Sequence, residues 1–252
     1  VTVIESLAFK ECSNLASVTM PDGLTSIRSE AFSRCSSLTS IAIPDSVTNI
    51  GSNAFSYSGL TNIAIPYGVT AIGEFAFAGC EDLTSVTMPD SVTSIGGWTF
   101  SGCSSLTNMV IPDGVTSLGK YVFSDCSSLI SVTIPQSLTY IGDNAFRYCR
   151  NLTSITIPES VTYIGTMAFW YCNSLKSITI PESVTFINDK AFYCCSSLTS
   201  LTISYGVTSL GESAFAGCIN LTDIEIPDSV ISIGEWTFET CSSLTNIVIP
   251  DS

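Results

Sequence analysis

The sequence predicts a solenoid of about eleven stacked coils of 23 residues, mostly β and irregular with short helical turns. One observation behind this prediction is a phenylalanine that recurs every 23 residues, with a single interval of 22. It stands at Phe9, Phe32, Phe55, Phe77, Phe100, Phe123, Phe146, Phe169, Phe192, Phe215 and Phe238. The other is that all ten prolines occupy one position of the same repeat, where Ser204 is the only substitute. Because a single repeat cannot bury apolar side chains on both of its sides, stacked repeats must supply the core.

Each repeat begins with a short strand, represented here by residues 152–157. Leu152, Ile155 and Ile157 place apolar side chains on one side of this strand, and small polar residues occupy the other side. Pro158 then ends the strand, because proline has no N–H group to donate to a neighbouring strand.

The second half of the repeat returns the chain to the interior. Val161 and Ile164 form a second extended piece, and Gly165 permits a turn. The Ala-Phe pair at 168–169, together with Cys172, then predicts a short helical or 3₁₀ return. The recurring phenylalanine should therefore form the buried spine of the stack.

The pattern LxxIxIPxSVxxIGxxAFxxCxxL, which these residues define, resembles the BspA-like leucine-rich repeat, also called the Treponema pallidum type. The resemblance covers all 252 residues. It implies a right-handed solenoid with a parallel β-sheet along one face. Members of this family are surface proteins of bacteria and parasitic protists, several of them implicated in adhesion to host matrix proteins and to other cells. The resemblance thus implies a non-enzymatic cell-surface or secreted protein that presents an extended face for protein or glycan binding and adhesion.

Composition and charge exclude several classes of function. The net charge is −14 with only eight Lys plus Arg, so the chain lacks the basic face that binding to nucleic acid or anionic lipid requires. No apolar run approaches the roughly 20 residues of a membrane-spanning helix. There is no histidine, which removes Ser-His-Asp and Cys-His catalysis and the commonest metal ligand. We therefore expect no enzymatic activity, no cofactor, no metal, no nucleic-acid partner and no insertion into a membrane.

Ten of the eleven cysteines form a column of the repeat. They are Cys12, Cys35, Cys80, Cys103, Cys126, Cys149, Cys172, Cys195, Cys218 and Cys241. The short C-x-x-C spacing of metal sites is absent, and side chains that point the same way into a core are poorly placed for disulfides. We interpret the column as buried, reduced thiols. Cys194 lies outside it and is expected to be exposed, as a chance substitution in preference to a reactive thiol or an interchain link.

Two further columns are interpreted as structural. An acid follows the proline at Asp22, Asp45, Asp90, Asp113, Glu159, Glu182, Asp228 and Asp251. An open edge offers no cleft in which such acids could act as a glycosidase pair, so we expect solvated turn acids. The threonine column from Thr2 to Thr208 suits an exposed strand better than an ice-binding face. The sequons at Asn151 and Asn220 matter only if the source is a secreting eukaryote.

Residues 136–194 depart from this polar surface because aromatic residues gather there. Tyr140, Tyr163 and Phe186 share one column that is expected to be exposed, and Tyr148, Trp170, Tyr171 and Tyr193 follow the recurring phenylalanines of the same repeats. Contiguous exposed aromatic residues often mark contact with a ligand. We predict these seven residues as the ligand-binding site. The alternative is that they pack on one another or under a neighbouring segment.

The ends of the chain fall inside the repeat. Val1 begins within one repeat and Ser252 stops within another, and neither end carries a capping sequence. We therefore expect residues 1–252 to be one array, an internal segment of a longer extracellular or cell-surface protein. Uncapped ends should make the isolated segment self-associate. A structural building block that assembles into a filament or coat is the alternative function.

Overall fold

A parallel β-sheet of eleven strands runs along one face of the protein, as the computed structural model of residues 1–251 shows. Each strand is two residues long and pairs with the equivalent strand one coil away, as Ile141 pairs with Ile164. The strands are β1 (Val3–Ile4), β2 (Ser26–Ile27), β3 (Asn49–Ile50), β5 (Ala71–Ile72), β7 (Ser94–Ile95), β9 (Ser117–Leu118), β11 (Tyr140–Ile141), β12 (Tyr163–Ile164), β14 (Phe186–Ile187), β16 (Ser209–Leu210) and β18 (Ser232–Ile233). The predicted solenoid with a parallel sheet on one face is confirmed.

On a second face, the strands form four separate two-stranded parallel sheets. They are β4 (Asn62–Ala64) with β6 (Ser85–Thr87), β8 (Asn108–Val110) with β10 (Ser131–Thr133), β13 (Ser177–Ile180) with β15 (Ser200–Ile203), and β17 (Asp223–Glu225) with β19 (Asn246–Val248). The strand predicted over residues 152–157 belongs to this face, where only an isolated bridge joins Ser154 to Ser131. Pro181 directly follows β13, as expected of a residue that ends strands.

The third side of each coil is a run of turns, so the predicted helical or 3₁₀ return is wrong. Within residues 167–172, the N–H groups of Met167, Phe169 and Tyr171 donate to carbonyls of the next coil at 2.8–3.0 Å. The alternate N–H groups donate to carbonyls three residues earlier in the same coil. A helix would direct every N–H into its own segment, whereas here half of them join neighbouring coils. No helix capable of crossing a bilayer is present in residues 1–251.

Two residues of every coil adopt left-handed backbone conformations, two positions before and two positions after the recurring phenylalanine. In the coil of Phe169 they are Met167, with φ 56°, and Tyr171, with φ 58°. Nineteen of these residues are not glycine and three are. A left-handed residue is uncommon outside glycine and costs about 1–2 kcal/mol. The bonds between coils and the packed core must offset this cost.

The recurring phenylalanines form the predicted spine of the core. Their rings stack on the equivalent rings one coil away, with centroids 5.1–5.8 Å apart. The nine from Phe32 to Phe215 are fully buried. The first and last, Phe9 and Phe238, lie in the end coils and are partly exposed, because each has a neighbouring coil on one side only.

The cysteine column lies beside this spine, and nine of its ten members are buried. Cys12, in the first coil, is exposed, so the prediction that this thiol is buried is wrong. All eleven cysteines are free thiols. Each buried thiol of the column donates to the carbonyl of a recurring phenylalanine, as Cys126 Sγ does to Phe100 O at 3.1 Å. These thiols therefore satisfy core carbonyls in addition to filling space.

The exposed threonine column also joins coils through hydrogen bonds. Thr25 Oγ1 donates to Thr2 O at 2.9 Å, and Thr208 Oγ1 donates to Thr185 O at 3.0 Å. The serine after the turn acid also donates to a carbonyl of the preceding coil, as Ser91 Oγ donates to Val69 O at 2.9 Å. Short hydroxylic side chains thus satisfy backbone acceptors along the exposed edges of the stack.

Candidate functional site

Tyr140, Tyr163 and Phe186 project from the continuous sheet, on the neighbouring strands β11, β12 and β14. The rings of Tyr140 and Tyr163 stack with centroids 4.7 Å apart and planes 3° apart. Stacking leaves these two tyrosines half-buried, while Phe186 is 39% exposed. Two rings of the column therefore pack on each other, as the alternative interpretation expected, and the ligand-binding role of the column stays a prediction. We call these three residues the sheet aromatics.

Charged side chains of the preceding coils border Tyr163. Lys120 Nζ pairs with Asp143 Oδ2 at 2.8 Å, and the Tyr163 hydroxyl donates to Asp143 Oδ1 at a long 3.4 Å. Partial burial, followed by the nearby Asp143 carboxylate, raises the pKa of Tyr163 above its ordinary value. The Tyr163 hydroxyl therefore donates its one hydrogen to Asp143, and its oxygen can accept a hydrogen bond from a ligand.

Tyr148, Trp170, Tyr171 and Tyr193 form a contiguous cluster on the turn side of the coils. Ring centroids are 4.9 Å apart between Tyr148 and Trp170, 4.8 Å between Trp170 and Tyr171, and 5.9 Å between Tyr171 and Tyr193. Tyr148 and Tyr171 occupy the left-handed position of successive coils, and Trp170 and Tyr193 occupy the position before it. The stack thus brings together all four residues predicted here, each of them half-buried. We call them the turn aromatic cluster.

Cys194 lies against this cluster and is half-buried, so the expectation of an exposed thiol is corrected. A hydrogen bond with the Cys194 side chain is the main cause that raises the pKa of Tyr171. Electrostatic repulsion from Cys194 is the main cause that raises the pKa of Tyr193. The hydroxyls of both tyrosines therefore remain protonated near neutral pH.

Two arginines complete this surface and were not part of the sequence prediction. The guanidinium carbon Cζ of Arg147 lies 4.5 Å from the ring centroid of Trp170 and 4.9 Å from that of Tyr148. Cζ of Arg150 lies 5.1 Å from the ring centroid of Tyr148. The sequence did carry a signal, since two of the eight basic residues of the chain stand three positions apart beside Tyr148.

A cleft of about 360 Å³ extends the turn aromatic cluster toward the C-terminal coils. Tyr193 lies on one side of it and Trp236, which is 58% exposed, lies on another. Lys190 and Glu212 also line the cleft and pair at 2.9 Å. Trp236 stands two repeats after Tyr193, so the sequence alone did not indicate that it borders the cluster.

A further aromatic ladder lies in earlier coils and was also missed. Trp98 stacks between Phe75 and Tyr121, with centroids 5.0 Å and 4.9 Å apart. All three are half-buried and stand two positions before a recurring phenylalanine. Their spacing of 23 residues was the available signal. This ladder packs ring on ring without a cleft or an arginine, so we do not include it in the candidate site.

The remaining polar columns form no compact site in the described residues. No group of three or more Cys, Asp or Glu side chains in residues 1–251 is placed to hold a metal ion. The turn acids lie on exposed positions along the stack. The same part of the chain shows no ring contact between the sheet aromatics and the turn aromatic cluster, so these are two separate surfaces.

Comparison with known proteins places the chain among repeat proteins of bacteria. The profile of the BspA type leucine rich repeat region matches residues 1–103, 48–176 and 167–252, which together span the chain. A leucine-rich repeat protein from Bacteroides ovatus is 34% identical over all of this chain and 71% of its own, with a TM-score of 0.81. A leucine rich cell surface protein from Faecalibacterium prausnitzii is 32% identical over 93% of this chain and 80% of its own, with a TM-score of 0.61.

The leucine rich repeat protein of T. pallidum is also similar. It is 32% identical over 64% of this chain and 78% of its own, with a TM-score of 0.60. No curated protein matches the chain.

Proposed function

Because the chain belongs to the family of BspA-type leucine-rich repeat proteins, we propose that it is a non-enzymatic binding protein of the cell surface or the extracellular space. It presents the solenoid surface to a protein or glycan ligand and serves adhesion. The similar protein of F. prausnitzii is described as a cell surface protein, which supports this location. The family relation supports binding in preference to catalysis.

The turn aromatic cluster with Arg147 and Arg150 is the observation that carries this proposal. Tyrosine, tryptophan and arginine dominate the energetic centres of protein interfaces, because they combine large apolar area with a polar end. The turn aromatic cluster gathers these residue types over three successive coils. Other coils carry serine, alanine or glycine at many of the same positions. The sheet aromatics offer a second, smaller contact surface.

Alanine or serine substitution of the turn aromatic cluster tests the proposal. A variant with serine at Tyr148, Trp170, Tyr171 and Tyr193 is compared with wild type in a binding screen against matrix proteins and glycans. We expect affinity for the ligand found with wild type to fall roughly tenfold or more. A Phe186→Ser variant measures the contribution of the sheet aromatics in the same screen.

The matched control removes two exposed tyrosines elsewhere. Tyr67 and Tyr205 follow the recurring proline position and are exposed. The double variant Tyr67→Ser, Tyr205→Ser should keep full affinity. Equal loss in both variants, or no loss in the cluster variant, would contradict binding through the turn aromatic cluster.

The alternative function is assembly into a filament or coat, in which a coil of one copy would stack on a coil of another. Val1 is 87% exposed in the first coil, and Ile249 is 63% exposed in the last. Apolar side chains at both ends of a stack can be covered by another copy. The state of association in solution separates this alternative from a monomeric binding protein.

A further inference from the structure

Two arginines beside the turn aromatic cluster have no acidic partner in a chain that is rich in acids. The protein carries 22 Asp plus Glu against eight Lys plus Arg. Four of the basic side chains make ion pairs in residues 1–251, namely Lys10, Arg28, Lys120 and Lys190. Arg147 and Arg150 make none in that part of the chain. They form a local cationic site on an otherwise acidic protein.

An acid of the neighbouring coil, Asp125, directs its carboxylate to another partner. Asp125 stands in the preceding coil, and its N–H donates to the carbonyl of Arg147 at 2.7 Å. Its carboxylate accepts a hydrogen bond from Ser124 Oγ at 2.7 Å and forms no ion pair with Arg147. The neighbours of Arg150 in the same column are Ser127 and Asn173, which carry no charge. The two guanidinium groups are therefore available to an external anion.

In residues 1–251 the terminal Nη groups of the two arginines donate no hydrogen bond to the protein. The group is planar, and its five N–H donors point outward in that plane. Arg147 presents its face to Trp170 and Tyr148, with Cζ 4.5 Å and 4.9 Å from the two ring centroids. Its buried Nε has no hydrogen-bond partner. That atom is closed to solvent, so the terminal Nη groups are the donors that an external anion can reach.

We infer that Arg147 and Arg150 bind the carboxylate of an acidic sugar, a sialic or hexuronic acid, beside the turn aromatic cluster. The inference rests on the proposed function and names its ligand class. Arginine binds carboxylates through paired, charge-assisted hydrogen bonds. Aromatic faces carry partial negative charge and accommodate the C–H face of a pyranose ring. The hydroxyls of Tyr148, Tyr171 and Tyr193 then supply donors and acceptors to the sugar hydroxyls.

Size and charge favour a sugar over a larger anion. The turn aromatic cluster and its arginines lie on three coils, two steps of about 4.8 Å apart, roughly 10 Å in all. That length suits one to three sugar units, whereas a stable protein interface covers about 800 Å² on each partner. The net charge of −14 repels polyanions such as heparin or nucleic acid, while a single carboxylate meets two local positive charges.

The fluorescence of Trp170 offers a direct test, because only three tryptophans are present. Substituting Trp98→Phe and Trp236→Phe leaves Trp170 as the reporter. We expect saturable changes in emission on titration with sialyllactose or with methyl glucuronide, and none with neutral lactose or methyl glucoside. A response to one acid alone identifies the source of the carboxylate. Ligand-observed NMR on the wild-type protein checks the same four sugars without any substitution.

The arginine variants test the assigned contacts. Arg147→Gln with Arg150→Gln should weaken binding of the acidic sugar roughly tenfold or more. Arg147→Lys with Arg150→Lys keeps the positive charges but loses the planar guanidinium groups. This variant should therefore restore only part of the affinity. Arg34→Gln is the matched control, because Arg34 lies over Tyr57 at 5.2 Å without a second arginine. Thermal unfolding of each variant verifies that the fold is retained.

Several outcomes would overturn the inference. These are equal responses to acidic and neutral sugars, no response to either acid, or unchanged binding by the Gln double variant. Preferential binding of a blocked tripeptide with a single Glu would show that the arginines take a protein carboxylate instead. If both acidic sugars fail while the aromatic variant still loses the ligand found in the screen, the inference falls and the proposed function stands.

Discussion

At the residue scale, the phenylalanine column packs each coil on the next. Phe123 is fully buried, and its ring lies 5.6 Å from Phe100 and 5.5 Å from Phe146. Phe123→Ala removes this stacking and leaves a cavity, so we expect the free energy of unfolding to fall by about 3–5 kcal/mol. Urea unfolding followed by circular dichroism measures the change.

Phe186→Ala is the matched control for this substitution. Its ring lies on the exposed side of β14, so the same change of side chain should cost less than about 1 kcal/mol. Similar losses in both variants would contradict a core built on the recurring phenylalanine.

Gly102 tests the backbone conformation of the turns. It has φ 75°, and a Cβ atom added to it would lie at an ordinary 3.5 Å from Gly79 Cα. Gly102→Ala therefore adds left-handed strain without a clash, and we expect it to destabilise the protein by about 1 kcal/mol. Gly23→Ala is the control, since a Cβ there meets nothing within 4 Å and no left-handed φ is involved. Thermal unfolding of the two variants should show a lower midpoint for Gly102→Ala only.

At the element scale, the repeat pattern predicted the strands and the core but not the turns. Residues 152–157 do lie on a strand-bearing face, and Ile164 does enter the continuous sheet. The return to the next coil was predicted as helical or 3₁₀ from the Ala-Phe pair at 168–169 together with Cys172. That prediction considered the residues of one coil without the hydrogen-bond partners in the next coil. The neighbouring coil supplies hydrogen-bond partners every second residue, and turns then replace a helix.

The aromatic residues of the candidate site could be predicted from the sequence. The contacts that residues of other coils make with them could not. Tyr148, Trp170 and Tyr171 stand out in the sequence as large side chains in small polar columns. Arg147 reaches Trp170 from the preceding coil, and Trp236 borders the cleft from two coils beyond Tyr193. Such contacts depend on the side-chain directions in the stack, which the spacing of the repeat alone does not specify.

The buried thiols of the cysteine column should resist alkylation in the folded protein. Burial raises the pKa of these thiols, to about 11 for Cys80 and well above the ordinary value of 9.0 for Cys103. Alkylation requires the thiolate, so the buried thiols should stay protonated and react slowly at pH 9. Iodoacetamide should label the exposed Cys12 first and the half-buried Cys194 more slowly.

Mass spectrometry of the native and the denatured protein checks the labelled positions. Denaturant exposes all eleven thiols to the reagent and serves as the control. Rapid labelling of several column cysteines in the native protein would contradict their burial, and intrachain bridges would contradict free thiols.

At the scale of the whole 252-residue chain, we expect the end coils to favour association. Val1 and Phe9 expose apolar surface at one end, and Val248 and Ile249 do so at the other. We expect the 252-residue chain to self-associate with increasing concentration, because a second copy can cover these surfaces. Sedimentation velocity over a concentration series measures this.

A version with a polar capping repeat added to each end is the matched control and should remain monomeric. An uncapped chain that stays monomeric at high concentration would remove the support for the filament alternative. It would leave the binding-protein proposal as the better one.

The central claim is that this solenoid binds its ligand through the turn aromatic cluster and its two arginines. Hydrogen–deuterium exchange of the protein with and without the ligand found in the screen tests it most directly, because each coil reports separately. We predict slower exchange in residues 147–151, 167–173 and 190–194, which carry the cluster. Protection confined to the strands of the continuous sheet, with no change in these three segments, would contradict the claim.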